Sequence, residues 1–331
     1  MIHNRKIIAY FKPKFLLGLT ATPERTDGRS IYELCDYNVP YEINLCQAIN
    51  RGILVPFHYY GIYDRTDYSG LRFVKGDYLE SELNATYLNN AVRDNLIYKH
   101  YLKYRSERAL GFCCSRLHAE YMAKIFSKKG IPSVAVYSNS DGEYSENRSS
   151  AIKMLEEGKI KVIFSVDMFN EGVDIPEVDA VMFLRPTQSG IVFLQQLGRG
   201  LRTSKGKEYL NVLDFIGNYK YAGKNISLLS DYLKMTDKTH LDNIKKNPVN
   251  FLRQSASDFF VRGEKSSIAL SDSLKQFLGN ETFAAHFKDI IDYRTIDYYS
   301  RRYREANEPQ VEYKMREEPV LMVAANDDYS L

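Results

Sequence analysis

The chain has 331 residues, 44% of them hydrophobic, with 45 Lys and Arg against 42 Asp and Glu for a formal charge of +3. That length and apolar content suit roughly two or three structural units around at least one sizeable core, and a charge so near zero excludes a footprint for nucleic acid spread over the whole surface, so any basic footprint has to be local. No apolar stretch is long enough to span a bilayer and the opening MIHNRKIIAYFKPK lacks a signal-peptide core, so we expect a cytoplasmic protein with no membrane partner.

Residues 1–14 read as a short amphipathic helix ending near Pro13, and Phe15 to Leu19 as a fully apolar strand that lacks neighbours on both sides. The loop Thr20-Ala21-Thr22-Pro23-Glu24-Arg25-Thr26-Asp27-Gly28 follows, dense in turn formers. Residues 31–55 connect to a second unit. Phe57 to Tyr63 is aromatic and β-prone, and Leu79 to Tyr104 is helical with a break expected near Asn84 to Tyr87. From there strands and helices alternate: strand Ala109 to Cys114, helix Leu117 to Lys128, strand Ser133 to Tyr137, helix Glu146 to Glu156, strands Lys161 to Val166 and Ala180 to Leu184, helix Gly190 to Arg202, strand Tyr209 to Asp214. This order predicts an α/β fold with a parallel sheet and helices on both faces. Residues 221–331 show helical periods and few convincing strands, and predict a mainly helical extension. Within it, DYRTIDYYSRRYR (292–304) interleaves tyrosine with arginine, a pattern that suits nucleic acid but equally a helix docking its tyrosines on a core. Cys35, Cys46, Cys113 and Cys114 lack metal-site spacing, so we expect free thiols and neither a disulfide nor a metal.

The stretch 160–202 concentrates the chemistry. An acidic, glycine-containing loop with Gly172 and Asp174 leaves the carboxyl end of one strand, where open α/β sheets bind ligands. On a helix from Gly190 to Arg202, Gln195, Arg199 and Arg202 fall at i, i+4 and i+7. Two arginines so spaced also suit a merely solvated face. Gly198, however, costs about 1 kcal/mol against alanine inside a helix, which points to close approach of a backbone or ligand. Guanidinium forks match phosphate oxygens bidentately.

Taken together, Gly18-Leu19-Thr20-Ala21-Thr22-Pro23, Gly111-Phe112-Cys113-Cys114-Ser115-Arg116, Asn170-Glu171-Gly172-Val173-Asp174-Ile175-Pro176 and Gln195-x-x-Gly198-Arg199-x-x-Arg202 resemble motifs III, IV, V and VI of the C-terminal half of a superfamily-two, DEAD/DEAH-like helicase of the bacterial restriction and repair type. The resemblance covers residues 7 to about 217. It implies a remnant of a first RecA-like domain at 1–30, a connector at 31–55, a second RecA-like domain at 56–220 and a helical extension at 221–331. It implies roles as well. Arg199 and Arg202 stand at arginine-finger positions facing the γ-phosphate of ATP, a contribution of roughly 10³ to 10⁵ in rate, and Gln195 positions phosphate or water. Gly172, Asp174 and Gly198 belong to the ATP site, and Thr20 and Thr22 couple nucleotide to strand binding. Ser115, Arg116 and Ser138 are candidates for nucleic-acid phosphate contacts. Val166 stands where many relatives carry a threonine.

The sequence has no G-x-x-x-x-G-K-[S/T]: Gly158-Lys159, Gly206-Lys207 and Gly223-Lys224 precede Ile, Glu and Asn, and no Asp-Glu dipeptide occurs. We therefore expect part of an ATP-dependent helicase or translocase, a fragment of a longer protein. It would need ATP and magnesium only with an N-terminal RecA-like ATPase domain in cis or in trans, would be inactive as an ATPase alone, and would bind DNA or RNA, with DNA favoured. The alternative is a stand-alone nucleic-acid-binding or adaptor module that works with a separate ATPase.

Overall fold

The computed structural model describes residues 8–11, 13–19, 37–43, 45–74, 76–104, 106–166, 175–187, 190–219 and 267–270. After a short helix α1 (Leu45–Asn50), strand β1 (Phe57–Tyr63) is followed by a small hairpin of β2 (Phe73–Val74) and β3 (Asp77–Tyr78). Helices α2 (Glu80–Tyr87) and α3 (Ala91–Lys103) come next. The alternating part runs β4 (Ala109–Phe112), α4 (Arg116–Lys128), β5 (Ser133–Val136), α5 (Arg148–Glu156), β6 (Val162–Ser165), β7 (Ala180–Phe183), α6 (Gly190–Gly200) and β8 (Leu210–Ile216). A further strand, β9, spans Ser267–Leu270.

Seven strands form one sheet in the order β5-β6-β4-β7-β8-β1-β9, and each neighbouring pair is parallel. Strands β4, β6, β7 and β8 are buried at every residue. A parallel sheet demands this because its crossover helices cover both faces. One face packs Ala151 and Leu155 of α5 and Phe193 and Leu197 of α6 on Leu110, Ile163 and Val181. The other packs Ile97 of α3 and Met122 and Phe126 of α4 on Ala109, Phe164 and Met182. This is an α/β arrangement of a parallel sheet with helices on both faces, as the alternating pattern predicts.

Local chemistry sets the element ends. Helix α3 starts where the Asn90 side chain accepts from Arg93 N (3.1 Å), and α5 where Asn147 accepts from Ser150 N (2.9 Å). The expected break in the long 79–104 helical stretch falls at residues 88–90, around Asn89 with φ +62°.

Two expectations are corrected. Phe15 to Leu19 is not a strand: it has no regular structure and its side chains are open to solvent, Phe15 by 74% and Leu19 by 88%. An apolar run becomes a strand only where a neighbour supplies hydrogen bonds, and among the described residues none does. Helix α6 ends at Gly200, so Arg202 does not continue the Gln195 and Arg199 stripe; it forms an antiparallel bridge with Leu54, next to the Val55 N to Leu201 O bond of 2.8 Å. Residues 267–270 of the extension form one short strand that extends the sheet beside β1. The rest of 220–331 lies outside the described residues, as do 1–7, 20–36 and 167–174.

Candidate nucleotide and strand-binding site

The sheet order itself places a ligand crevice. The chain leaves β4 for β5 on one side and returns as β6 next to β4. It then crosses to β7 on β4's other side. Ligands of open parallel sheets bind outside the carboxyl ends of the strands at such a reversal. The loops at this edge follow β4 (Cys113 to Ser115), β5 (from Tyr137), β6 (from Val166) and β7 (from Leu184); of the residues singled out from the sequence they carry Ser115 and Ser138, and Arg116 opens the helix after the first.

Behind the edge lies a buried polar hub. Arg93 of α3, 2% exposed, donates from Nε to Asp64 Oδ2 (2.9 Å) just past β1 and from Nη2 to Leu184 O (2.7 Å) just past β7. Its guanidinium lies 3.9 Å over the Tyr87 ring, and Nη1 is 3.4 Å from His118 Nε2 of α4. Asp64 also accepts from Thr66 N (3.0 Å) and Thr66 Oγ1 (2.6 Å). Such a pair is tolerated in the interior because it is so fully hydrogen-bonded. Burial, with the Arg93 charge beside it, holds the His118 pKa well below the ordinary value, so the imidazole is neutral. One guanidinium thus ties the ends of β1 and β7 to α2, α3 and α4. Burial pushes the Cys114 thiol up to about 11 and raises Cys113 as well, which keeps both as thiols.

Ser115 and Arg116, adjacent in sequence, play different parts. Ser115 is 1% exposed and serves as the N-cap of α4: its Oγ accepts from His118 N (3.0 Å) and donates to Asn84 Oδ1. Arg116 is exposed, with its guanidinium 5.6 Å from the Tyr137 ring centre. Ser138, after β5, is exposed as well.

On the other face, α6 carries Gln195 and Arg199 one turn apart, both half-buried. A Cβ built at Gly198 meets nothing within 4 Å, so among the described residues no packing within the chain accounts for this glycine. At Gly200, in contrast, it would lie 2.4 Å from Leu210 Cδ1, and here close packing of helix on sheet requires the missing side chain. Lys207 is the residue that sequence reasoning passed over. Its ammonium donates to Pro176 O (2.8 Å) and to Arg202 O (2.9 Å). The end of the acidic glycine loop and the arginine-bearing turn, 26 residues apart in the chain, therefore share one cation. Burial lowers the Lys207 pKa to about 8, against the pull of Asp179 and Glu177. Only the Gly206-Lys207 pair marked it in the sequence, as a failed phosphate loop.

Gly172, Asp174, Thr20 and Thr22 lie outside the described residues. Among the described residues no group of three His, Cys, Asp or Glu could hold a metal ion, and no helix is long and apolar enough to cross a membrane.

Residues 90–204 match the family described as "Helicase conserved C-terminal domain". Among curated proteins, the chain is 27% identical over 223 residues to the Saccharomyces cerevisiae protein named "Putative ATP-dependent helicase IRC3", covering 64% of this chain and 32% of that protein. It is 28% identical over 220 residues to the "51.5 kDa protein" of a Lactococcus phage, covering 66% and 47%. The chain thus spans about a third to a half of the length of these relatives. Among solved structures, a fragment of an HsdR subunit of a type I restriction enzyme from Vibrio vulnificus is 25% identical with a TM-score of 0.49, covering 64% of this chain and 42% of that one.

Proposed function

We propose a function for a chain whose residues 90–204 match the helicase conserved C-terminal domain and which resembles the C-terminal half of superfamily-two helicases: it is the second RecA-like half of an ATP-dependent nucleic-acid helicase or translocase, with DNA the favoured strand. In this reading Arg199 and Arg202 bring guanidiniums to the γ-phosphate of ATP, and Gln195 orients phosphate or water. Gly172, Asp174 and Gly198 shape the backbone around them. ATP and magnesium are presented by an N-terminal RecA-like ATPase domain, in cis or in trans. Thr20 and Thr22 couple the two halves. A single strand crosses the carboxyl edge of the sheet, held at its phosphates by Arg116 and Ser138, with Ser115 fixing the helix that presents Arg116.

The observation that carries this reading is the Lys207 clamp. Two stretches singled out separately as phosphate-site candidates, the loop ending at Pro176 and the turn at Arg202, meet on one ammonium. Proteins that finish a phosphoryl-transfer site work by positioning and charge rather than covalent chemistry, so a fixed relation between these segments is what the task requires.

The strand-binding part is tested by titrating a labelled single-stranded DNA against the purified chain over a range of salt. Binding is expected to be weak and to fall steeply with salt, and Arg116→Ala should weaken it and reduce the slope of log affinity against log salt by about 1. Affinity unchanged from low to high salt, or an Arg116→Ala slope equal to wild type, contradicts it.

A further inference from the structure

The carboxyl ends of β4, β5 and β6 enclose a cleft of about 630 Å³, at the scale of small-ligand sites, which run to about 300–1,000 Å³. Its lining is unlike a phosphate track. Glu80, Glu120 and Asp141 supply three carboxylates against the single guanidinium of Arg116, and Leu117, Tyr137 and Val166 supply apolar surface. Arg116 can hold one phosphate here, and the carboxylates oppose a second.

We propose that the cleft takes an unstacked nucleobase carrying an exocyclic amino group, from a strand whose phosphate is held at Arg116. The proposal rests on the strand-binding reading above. Ionised carboxylates only accept hydrogen bonds. They match the amino groups of cytosine, adenine and guanine, whereas thymine has no amino group and sets a single N3–H donor between two carbonyls that the carboxylates oppose. Leu117 is 61% exposed in the first turn of α4, at the cleft, where it offers a surface on which a base can lie.

The wall is already built. Glu120 Oε1 accepts from Tyr137 Oη (3.0 Å) and Oε2 from Tyr144 N (3.0 Å). Gly142 N donates to Tyr137 Oη (3.1 Å) and Ser145 Oγ (2.8 Å), and a Cβ at Gly142 would strike both the Glu120 carboxylate and Tyr137 Oη. Glu120 is thereby committed to holding the loop after β5, which leaves the exposed Glu80 and Asp141 to read the base edge. A preformed wall lowers the ordering cost of binding.

The test compares labelled oligo-dC and oligo-dT of equal length at one salt concentration, since both are pyrimidine strands. The full chain should favour oligo-dC by roughly tenfold. The double variant Glu80→Gln, Asp141→Asn should lose that preference while keeping its affinity for oligo-dT, and Leu117→Ala should weaken oligo-dC more than oligo-dT. All three positions are exposed, and unchanged thermal melts of the variants confirm that the fold is kept. Equal affinity for the two strands with normal salt dependence overturns the cleft assignment and leaves strand binding standing, whereas no binding to either strand removes both. A tetra-arginine peptide that binds wild type and is lost in the double variant, with no base preference among strands, assigns the cleft to a basic protein segment and also overturns the proposal.

Discussion

Lys207 shows how a single half-buried charge can be kept for its geometry at a cost in stability. Its ammonium bonds to the carbonyls of Pro176 and Arg202, and burial lowers its pKa from 10.5 to about 8. Below about pH 8 the folded and unfolded states both carry the proton, and the fold bears the whole cost of the buried charge. Between about 8 and 10.5 the folded state releases the proton first, the unfolded state binds more protons, and stability rises with pH. The melting temperature of wild type relative to Lys207→Met should therefore climb from about pH 7.5 to about 9.5. A difference that stays flat or falls over that range would show that the charge is not strained. No pattern in the sequence reveals this residue, because its role depends on two carbonyls that come together only when β7 and α6 have packed. Arg93 is similar: it reads as an ordinary helix-surface arginine, yet folding buries it against Asp64, Tyr87 and His118.

At the scale of elements, periodicity was a good guide wherever burial is two-sided. Strand β1 was predicted with the bounds that are observed, and the alternation from β4 to β8 was legible because each crossover needs an apolar strand followed by an amphipathic helix. The failures came where a partner decides. Phe15 to Leu19 has strand composition without a neighbour, and β9 is added beside β1 by a pairing that its short sequence does not announce. Helix α6 carries Gly198 and Gly200 near its end and stops at the latter, two residues before the expected Arg202. The second glycine ends the helix against Leu210, and the backbone of Leu201 and Arg202 then pairs with Leu54 and Val55. Gly200→Ala forces a methyl into the space of the Leu210 side chain, and should destabilise the chain by about 1–3 kcal/mol in denaturant unfolding, while Gly198→Ala, facing open space, should leave stability unchanged or raise it by up to about 1 kcal/mol. Equal losses at both glycines would contradict the packing described for the end of α6.

For the whole molecule, the sheet gathers at one edge what the sequence scatters. Arg116, Ser138 and the proposed base-reading cleft lie at the ends of β4, β5 and β6; Arg199 of α6 lies on the opposite face, and the turn at Arg202 that follows it is joined to the loop after β6 by Lys207. This division fits a domain that grips a strand with one surface and completes a nucleotide site with another. On the proposed function the chemistry is conditional: the guanidiniums would stabilise charge on a phosphoryl group that some other group of residues must bind and align. The sequence contains neither a phosphate-binding G-x-x-x-x-G-K-[S/T] loop nor an Asp-Glu pair. The central claim is therefore tested most directly by the turnover of magnesium ATP by the purified chain, with and without single-stranded DNA, alongside Arg199→Ala. The account predicts that wild type and variant are both indistinguishable from buffer. Strand-stimulated hydrolysis that Arg199→Ala abolishes would contradict it, by showing that this chain binds and aligns its own nucleotide.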